Sequence, residues 1–155
     1  VVEASNQAIE QLKKRAEASK LHLIGFSGGG AIAALIAARR TDIASLRTIA
    51  GNLNHKEFTK YHKVSPLTGS LNPIEFATLL ASLPQIHFTG DRDQIIPGFI
   101  VDGFIQALGR GGCGYHISVT KMEHGKGWQE VWPQLLKRRM QKCIIKSGNN
   151  GMTKD

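Results

Sequence analysis

No apolar run in this chain approaches the roughly 20 residues that a bilayer-spanning helix requires, so no stretch reads as a transmembrane segment. Cysteine is scarce. The two present, Cys113 and Cys143, have neither metal-ligand spacing nor a Cys-x-x-Cys arrangement. That argues against a cysteine metal site or a paired redox motif, and both thiols are expected to be free. Acidic residues are outnumbered, 12 Asp and Glu against 20 Lys and Arg, for a net charge of +8. Such an excess favours anionic partners in principle. Here the basic residues are scattered, and the densest group, Lys137, Arg138, Arg139, Lys142 and Lys146, falls where a C-terminal helix is expected. Cations suit the unpaired carbonyls of a helix end, so no nucleic-acid partner is expected. The opening residues, Val1-Val2-Glu3-Ala4-Ser5, contain no Met and no signal-peptide pattern. The gene start is expected to lie upstream with any targeting signal, which leaves cytoplasm and bacterial envelope both open.

What is present fits one globular domain: 155 residues, 41% hydrophobic and 21% charged. Residues 3 to 18 have helical periodicity, with Ile9, Leu12 and Ala16 on one face. Leu21 to Phe26 is a short apolar run, as for a strand covered on both faces, and Gly30 to Arg40 is a helix apolar almost all round. Strands are further expected at Leu46 to Ala50, Gln85 to Thr89 and His116 to Lys121. Helices are expected from Asn72-Pro73, over Gly98 to Leu108 and over Trp128 to Ile145. Strands alternating with helices imply an α/β fold with a mostly parallel sheet. Residues 51 to 72 break the rhythm with Gly, Asn, Pro and Ser, and are expected to form an inserted, lid-like loop over the sheet end. Within them Asn54 and Glu57 have capping-box spacing. Residues 1 to 146 are expected to form the domain, and 147 to 155 a polar, disordered tail.

The chemistry centres on Gly25-Phe26-Ser27-Gly28-Gly29, a Gly-x-Ser-x-Gly sequence between a strand and a helix. A sharp turn there exposes the serine hydroxyl, and glycines two residues either side are expected to avoid collision. The helix N-terminus supplies unpaired N–H groups, that of Gly28 being a candidate oxyanion donor. A glycine-rich nucleotide turn is the rival. It calls for an acid at the end of the next strand, where the chain has Thr48-Ile49-Ala50-Gly51-Asn52, and there is no Gly-Lys-Ser/Thr phosphate loop.

A serine nucleophile needs a base, and the base an orienting acid. "TGDRDQIIP" follows the third strand and offers Asp91 and Asp93; "TKMEHGKGW" follows the fourth and offers Glu123 and His124. Both loops fall on the sheet edge expected for Ser27. Of the other histidines, His22 and His87 fall within strands, as packing or surface residues, and His55 and His62 within the insertion. Trp128 and Trp132, at i and i+4, suit core packing.

From Ser5 to about Arg139 the sequence resembles the C-terminal half of an α/β-hydrolase. "GFSGG" matches the family's nucleophile elbow, "GDRDQIIP" its acid loop and "MEHGKGW" its histidine loop. "AGNLNHKEFTKYHKVSPLTGSLNP" is similar to a segment of uncharacterised bacterial members. The resemblance implies a three-layer α/β/α fold and a serine esterase, lipase or thioesterase with Ser27 as nucleophile, Asp93 as acid and His124 as base. It implies a small ester or acyl substrate and no cofactor or metal. Phe26, Phe58 and Tyr61 are the candidate substrate contacts. The family's strands before the elbow, and the loop carrying its second oxyanion donor, have no counterpart here, so a piece of a longer protein is expected. An elbow strand left at the sheet edge invites self-association. A non-catalytic relic acting as an interaction module is the alternative, with a nucleotide-binding domain behind it.

Overall fold

The computed structural model describes residues 1–140 and 143. Helix α1 (Val2–Arg15) leads to β1 (Leu21–Phe26), α2 (Gly28–Ala37), β2 (Ile43–Ile49) and α3 (His55–His62). A 310 helix (Pro73–Leu80) follows, then β3 (Gln85–Gly90), α4 (Gly98–Ala107), β4 (Gly114–Val119) and α5 (Trp128–Leu136). The four strands form one parallel sheet in the order β1-β2-β3-β4. Every strand therefore points its C-terminal end to the same edge. No described helix is long and apolar enough to cross a membrane.

Crossovers of one hand between neighbouring strands place their helices on one face of a sheet, and the two cores follow that rule. On one face Ala33, Ala34 and Ala37 of α2 and Val101 and Phe104 of α4 pack with Leu46, Leu53, Ala77 and Leu80. On the other, Trp128 and Leu135 of α5 cover Ile49, Ile86 and Phe88. Alternate residues of a strand face opposite ways, and β3 is buried on both sides. Its Ile86 and Phe88 face α5; its Gln85, His87 and Thr89 form a polar row beneath α4, where His87 meets the Phe104 ring edge-on at 5.3 Å.

That row is hydrogen-bonded throughout. Gln85 donates from Nε2 to the carbonyls of Leu80 and Leu83, so its Oε1 accepts from His87 Nε2 at 3.0 Å. His87 Nδ1 then accepts from the Thr48 hydroxyl at 2.8 Å. The ring is fully buried, and desolvation pushes its pKa down to about 3, with His116 adding to the shift. At the far end of the sheet Arg40 holds α1 in place through Glu10 and Asp42, with Lys13 also on Asp42. Arg40, then Lys13, hold the Asp42 carboxyl well below the usual carboxylate range.

Several sequence expectations need adjustment. Cys113 and Cys143 are joined in a disulfide rather than free. The fold brings their Cα atoms to 5.1 Å across 30 residues of chain, within bridging range, and sequence spacing carries no sign of that. The helix expected from Asn72-Pro73 is a 310 helix without a side-chain cap, because the Asn72 carboxamide accepts from the backbone N–H of His55 instead. α5 ends at Leu136, short of Ile145; the Arg47 guanidinium donates to the carbonyls of Leu136 and Arg138 and satisfies the helix end. Lys137 to Arg139 thus lie beyond the helix rather than on it. The expected tail, 147 to 155, lies outside the described residues.

Candidate active site

Ser27 sits where β1 becomes α2. Its backbone is left-handed, φ 51° and ψ −122°, a conformation that costs a non-glycine residue about 1–3 kcal/mol. Three hydrogen bonds hold it there: Ser27 N–H donates to Ile49 O, and the N–H groups of Gly30 and Asn52 donate to Ser27 O. The turn is so tight that a Cβ on Gly25 would fall inside contact distance of the Gly29 backbone. A Cβ on Gly29 would meet nothing within 4 Å. The expectation of a collision on both sides is therefore corrected: it is the backbone of Gly29 that requires glycine at 25. Gly28 is the first residue of α2, so its N–H has no partner within the helix.

Asp93 lies in the loop after β3. Its Oδ1 accepts from the N–H groups of Ile95 and Ile96, both at 2.8 Å, and its Oδ2 lies 2.9 Å from His124 Nδ1. His124, in the loop after β4, places Nε2 3.0 Å from Ser27 Oγ. The carboxylate oxygen can only accept, so Nδ1 carries the ring proton and Nε2 is left to accept from the serine hydroxyl. Asp93 is withdrawn from solvent while the imidazole remains partly exposed.

Two contacts that sequence reading missed hold the histidine loop. The Trp128 indole N–H donates to the carbonyls of Glu123 and His124, so this core tryptophan also anchors the loop. Gly90, at the end of β3, admits the Met122 backbone so closely that any Cβ there would overlap the Met122 carbonyl. Arg92 N–H donates to that same carbonyl. The glycine of "TGDRD" is thus what lets the two loops touch. Asp91 accepts from Lys121 N–H at 2.7 Å and ties the loops without facing the imidazole.

Among the candidate substrate contacts, Phe26 stands beside His124, ring centres 5.2 Å apart. Phe58 packs against Ala50, Ile96 and Ile100, and Tyr61 stacks edge-on against Phe99; neither is among the residues lining the clefts at this sheet edge. The insertion does reach this edge: His62 Nε2 donates to Ile95 O at 2.8 Å. Two clefts lie at this edge, one reaching Gly28 and the other His124. One, of about 650 Å³, runs from Gly28 along α2 and is walled by His55, Leu67 and Leu71 of the 51–72 segment. The other, of about 950 Å³, is lined by Asp91, Arg92, Asp93, Glu123, His124 and Lys126. A second relay, Thr89 to His116 to Asp102, repeats the hydrogen-bonding pattern, but Thr89 is fully buried and inaccessible to a substrate. No cluster of three or more His, Cys, Asp or Glu placed to hold a metal ion occurs among the described residues.

A parallel sheet with helices on both faces, a left-handed serine between β1 and α2, and the Asp93 and His124 loops at the same edge match part of the α/β-hydrolase fold. Solved structures agree. The chain is similar to a puromycin hydrolase (20% identity, TM-score 0.66, covering 80% of this chain and 22% of that one). It is similar to an alpha-beta serine hydrolase homologue from Coxiella burnetii (18% identity, TM-score 0.61, 86% and 54%). An esterase from Pyrococcus furiosus also superposes (15% identity, TM-score 0.65, 87% and 56%). The chain thus spans between about a fifth and somewhat over half of these proteins. No protein-family model matches the sequence, and no curated protein does.

Proposed function

We propose that this chain supplies the nucleophile, base and acid of a serine hydrolase acting on a carboxylic ester or thioester. The observation that carries the reading is the continuous hydrogen-bonded path from Ser27 Oγ through His124 to Asp93, with the serine at the N-terminus of α2. Ser27 attacks the carbonyl carbon as His124 Nε2 takes its proton. The Asp93 carboxylate holds the ring with Nδ1 protonated and stabilises the imidazolium that forms. The Gly28 N–H, aided by the positive end of α2, holds the developing oxyanion. His124 returns its proton to the departing alcohol or thiol, and then activates water against the acyl-serine. No step calls on a metal or cofactor. The 51–72 segment, through His55, Leu67 and Leu71, acts as one wall of the substrate cleft.

A second reading has an observation in its favour. Among the described residues β1 pairs only with β2, and Ile24 and Phe26 are about half exposed. That edge suits a fold that associates through β1, with or without catalysis. Labelling with a fluorophosphonate separates the two. Stoichiometric modification at Ser27, lost in His124→Ala, is the result expected of the hydrolase; an unlabelled protein would leave only the interaction module.

A further inference from the structure

The cleft along α2 is not uniformly apolar. Ile32 and Leu35 of α2, spaced at i and i+3 as one helix face requires, line it together with Leu67 and Leu71. Gly28, Asn52 and His55 line it as well, Asn52 being tied to the serine through its backbone N–H, and Asn52 Oδ1 and His55 Nδ1 are buried with no hydrogen-bond partner among the described residues. Asn52 is only 9% exposed. A buried polar atom without a partner costs about 1–3 kcal/mol, so two lining one cleft ask for a ligand that satisfies both. Their place is fixed: Asn52 N–H is bonded to Ser27 O at 3.2 Å, and His55 N–H to the Asn72 carboxamide.

The chemistry of the two atoms narrows the ligand. A carboxamide oxygen only accepts, so the ligand must donate to it. The His55 ring is kept neutral by desolvation, its pKa lowered against a smaller opposing pull from Glu75, and its Nδ1 can present either a proton or a lone pair. A hydroxyl donates and accepts at a single atom and so answers both from one position; a bare methylene answers neither.

We infer that the α2 cleft is the acyl site and that Asn52 and His55 select acyl groups bearing a hydroxyl near the scissile carbonyl, with the aliphatic remainder laid between Ile32, Leu35, Leu67 and Leu71. This rests on the serine-hydrolase reading of Ser27. It makes the enzyme a hydroxyacyl esterase or thioesterase. The site discriminates because an unsubstituted acyl chain leaves Asn52 and His55 unpaired in the complex, and rejection of an analogue lacking a needed polar group is strong where the site's own groups are buried.

The test compares nitrophenyl butyrate with nitrophenyl β-hydroxybutyrate, which share a leaving group and chain length. The expected ratio of kcat/KM, hydroxylated over plain, is at least about tenfold, and Asn52→Leu and His55→Phe each bring it close to one. A ratio near one in the unaltered protein, or one untouched by both substitutions, overturns the assignment. Should neither ester turn over, the Ser27→Ala protein decides. Thermal stabilisation by β-hydroxybutyrate and not by butyrate keeps the site while the hydrolase reading falls; equal stabilisation by both acids, or none by either, removes the site. Fluorophosphonate labelling reports on the hydrolase reading independently of either.

Discussion

Asp93 divides its two carboxylate oxygens between two tasks: Oδ1 binds its own loop through the N–H groups of Ile95 and Ile96, and Oδ2 faces His124 Nδ1 at 2.9 Å. The division makes Asp93→Asn an informative substitution. The carboxamide oxygen can keep the loop bonds while its NH2 turns to Nδ1. The ring proton then moves to Nε2, which can no longer accept from Ser27. Ester hydrolysis should fall about 10⁴-fold with the melting temperature little changed. A loss of activity matched by a loss of fold would remove the tautomer argument.

Ser27 bears backbone strain that glycine would not. At φ 51° Ser27→Gly should be more stable than Ser27→Ala by about 1 kcal/mol, read from chemical denaturation midpoints. Both variants should be silent towards fluorophosphonate. Equal stabilities would show that the left-handed turn is not strained.

Gly90→Ala should separate the acid loop from the histidine loop. The new Cβ overlaps the Met122 carbonyl, and backbone must move to admit it. A loss of about 2 kcal/mol or more is expected, together with loss of ester turnover. Gly125→Ala, where a Cβ meets nothing within 4 Å, should change stability by less than about 0.5 kcal/mol. Similar effects at the two positions would dismiss the close approach as the cause.

The buried His87 makes the fold acid-sensitive. Its folded pKa of about 3 lies below the ordinary 6.5, so the unfolded chain binds the extra proton between those values. Stability is complete above about pH 6.5 and is lost as pH falls towards 3. From pH 7 to pH 5 this group alone should remove about 2 kcal/mol, seen as a lower urea midpoint. His87→Leu should flatten that dependence even though Thr48 and Gln85 lose their partner and overall stability drops. An unchanged pH slope in the variant would assign the effect elsewhere.

The exposed outer edge of β1 should make this 155-residue chain associate, as half-exposed Ile24 and Phe26 lie along it. Ile24→Lys should shift the mass measured by light scattering towards that of a single chain. A monomer before substitution would rule the edge out as an interface.

Much of this arrangement was legible in the sequence because it is local. β1 and the Asn54 cap fall where short-range pattern places them, although β1 is not covered on both faces as its apolar run suggested, Ile24 and Phe26 being half exposed; Gly-x-Ser-x-Gly marks the turn because its crowding arises within five residues. The preference for Asp93 over Asp91 came from a resemblance rather than from spacing. The rest depends on contacts distant in sequence. Neither the Cys113–Cys143 bridge nor the Gly90–Met122 approach leaves a local pattern. The buried row Gln85, His87, Thr89 resembles a strand with one wet face, and only α4 above it makes it interior. Phe58 and Tyr61 read as cleft residues because they are aromatic in a long loop; the packing of their rings on Ile96, Ile100 and Phe99 depends on residues more than 35 positions away and leaves no local pattern.

The sheet's strictly sequential parallel order has a consequence in time. Ser27 and His124 are 97 residues apart in the chain, and three crossovers must close before β1 and β4 stand in one sheet. Parallel pairings at such separations are slow to form, since loop closure precedes any gain from contact. The hydroxyl of Ser27 therefore meets His124, its proposed base, only when the last strand has docked. During refolding, reactivity towards a fluorophosphonate should trail the recovery of helix and sheet, so that reactivity marks the final assembly of the fold.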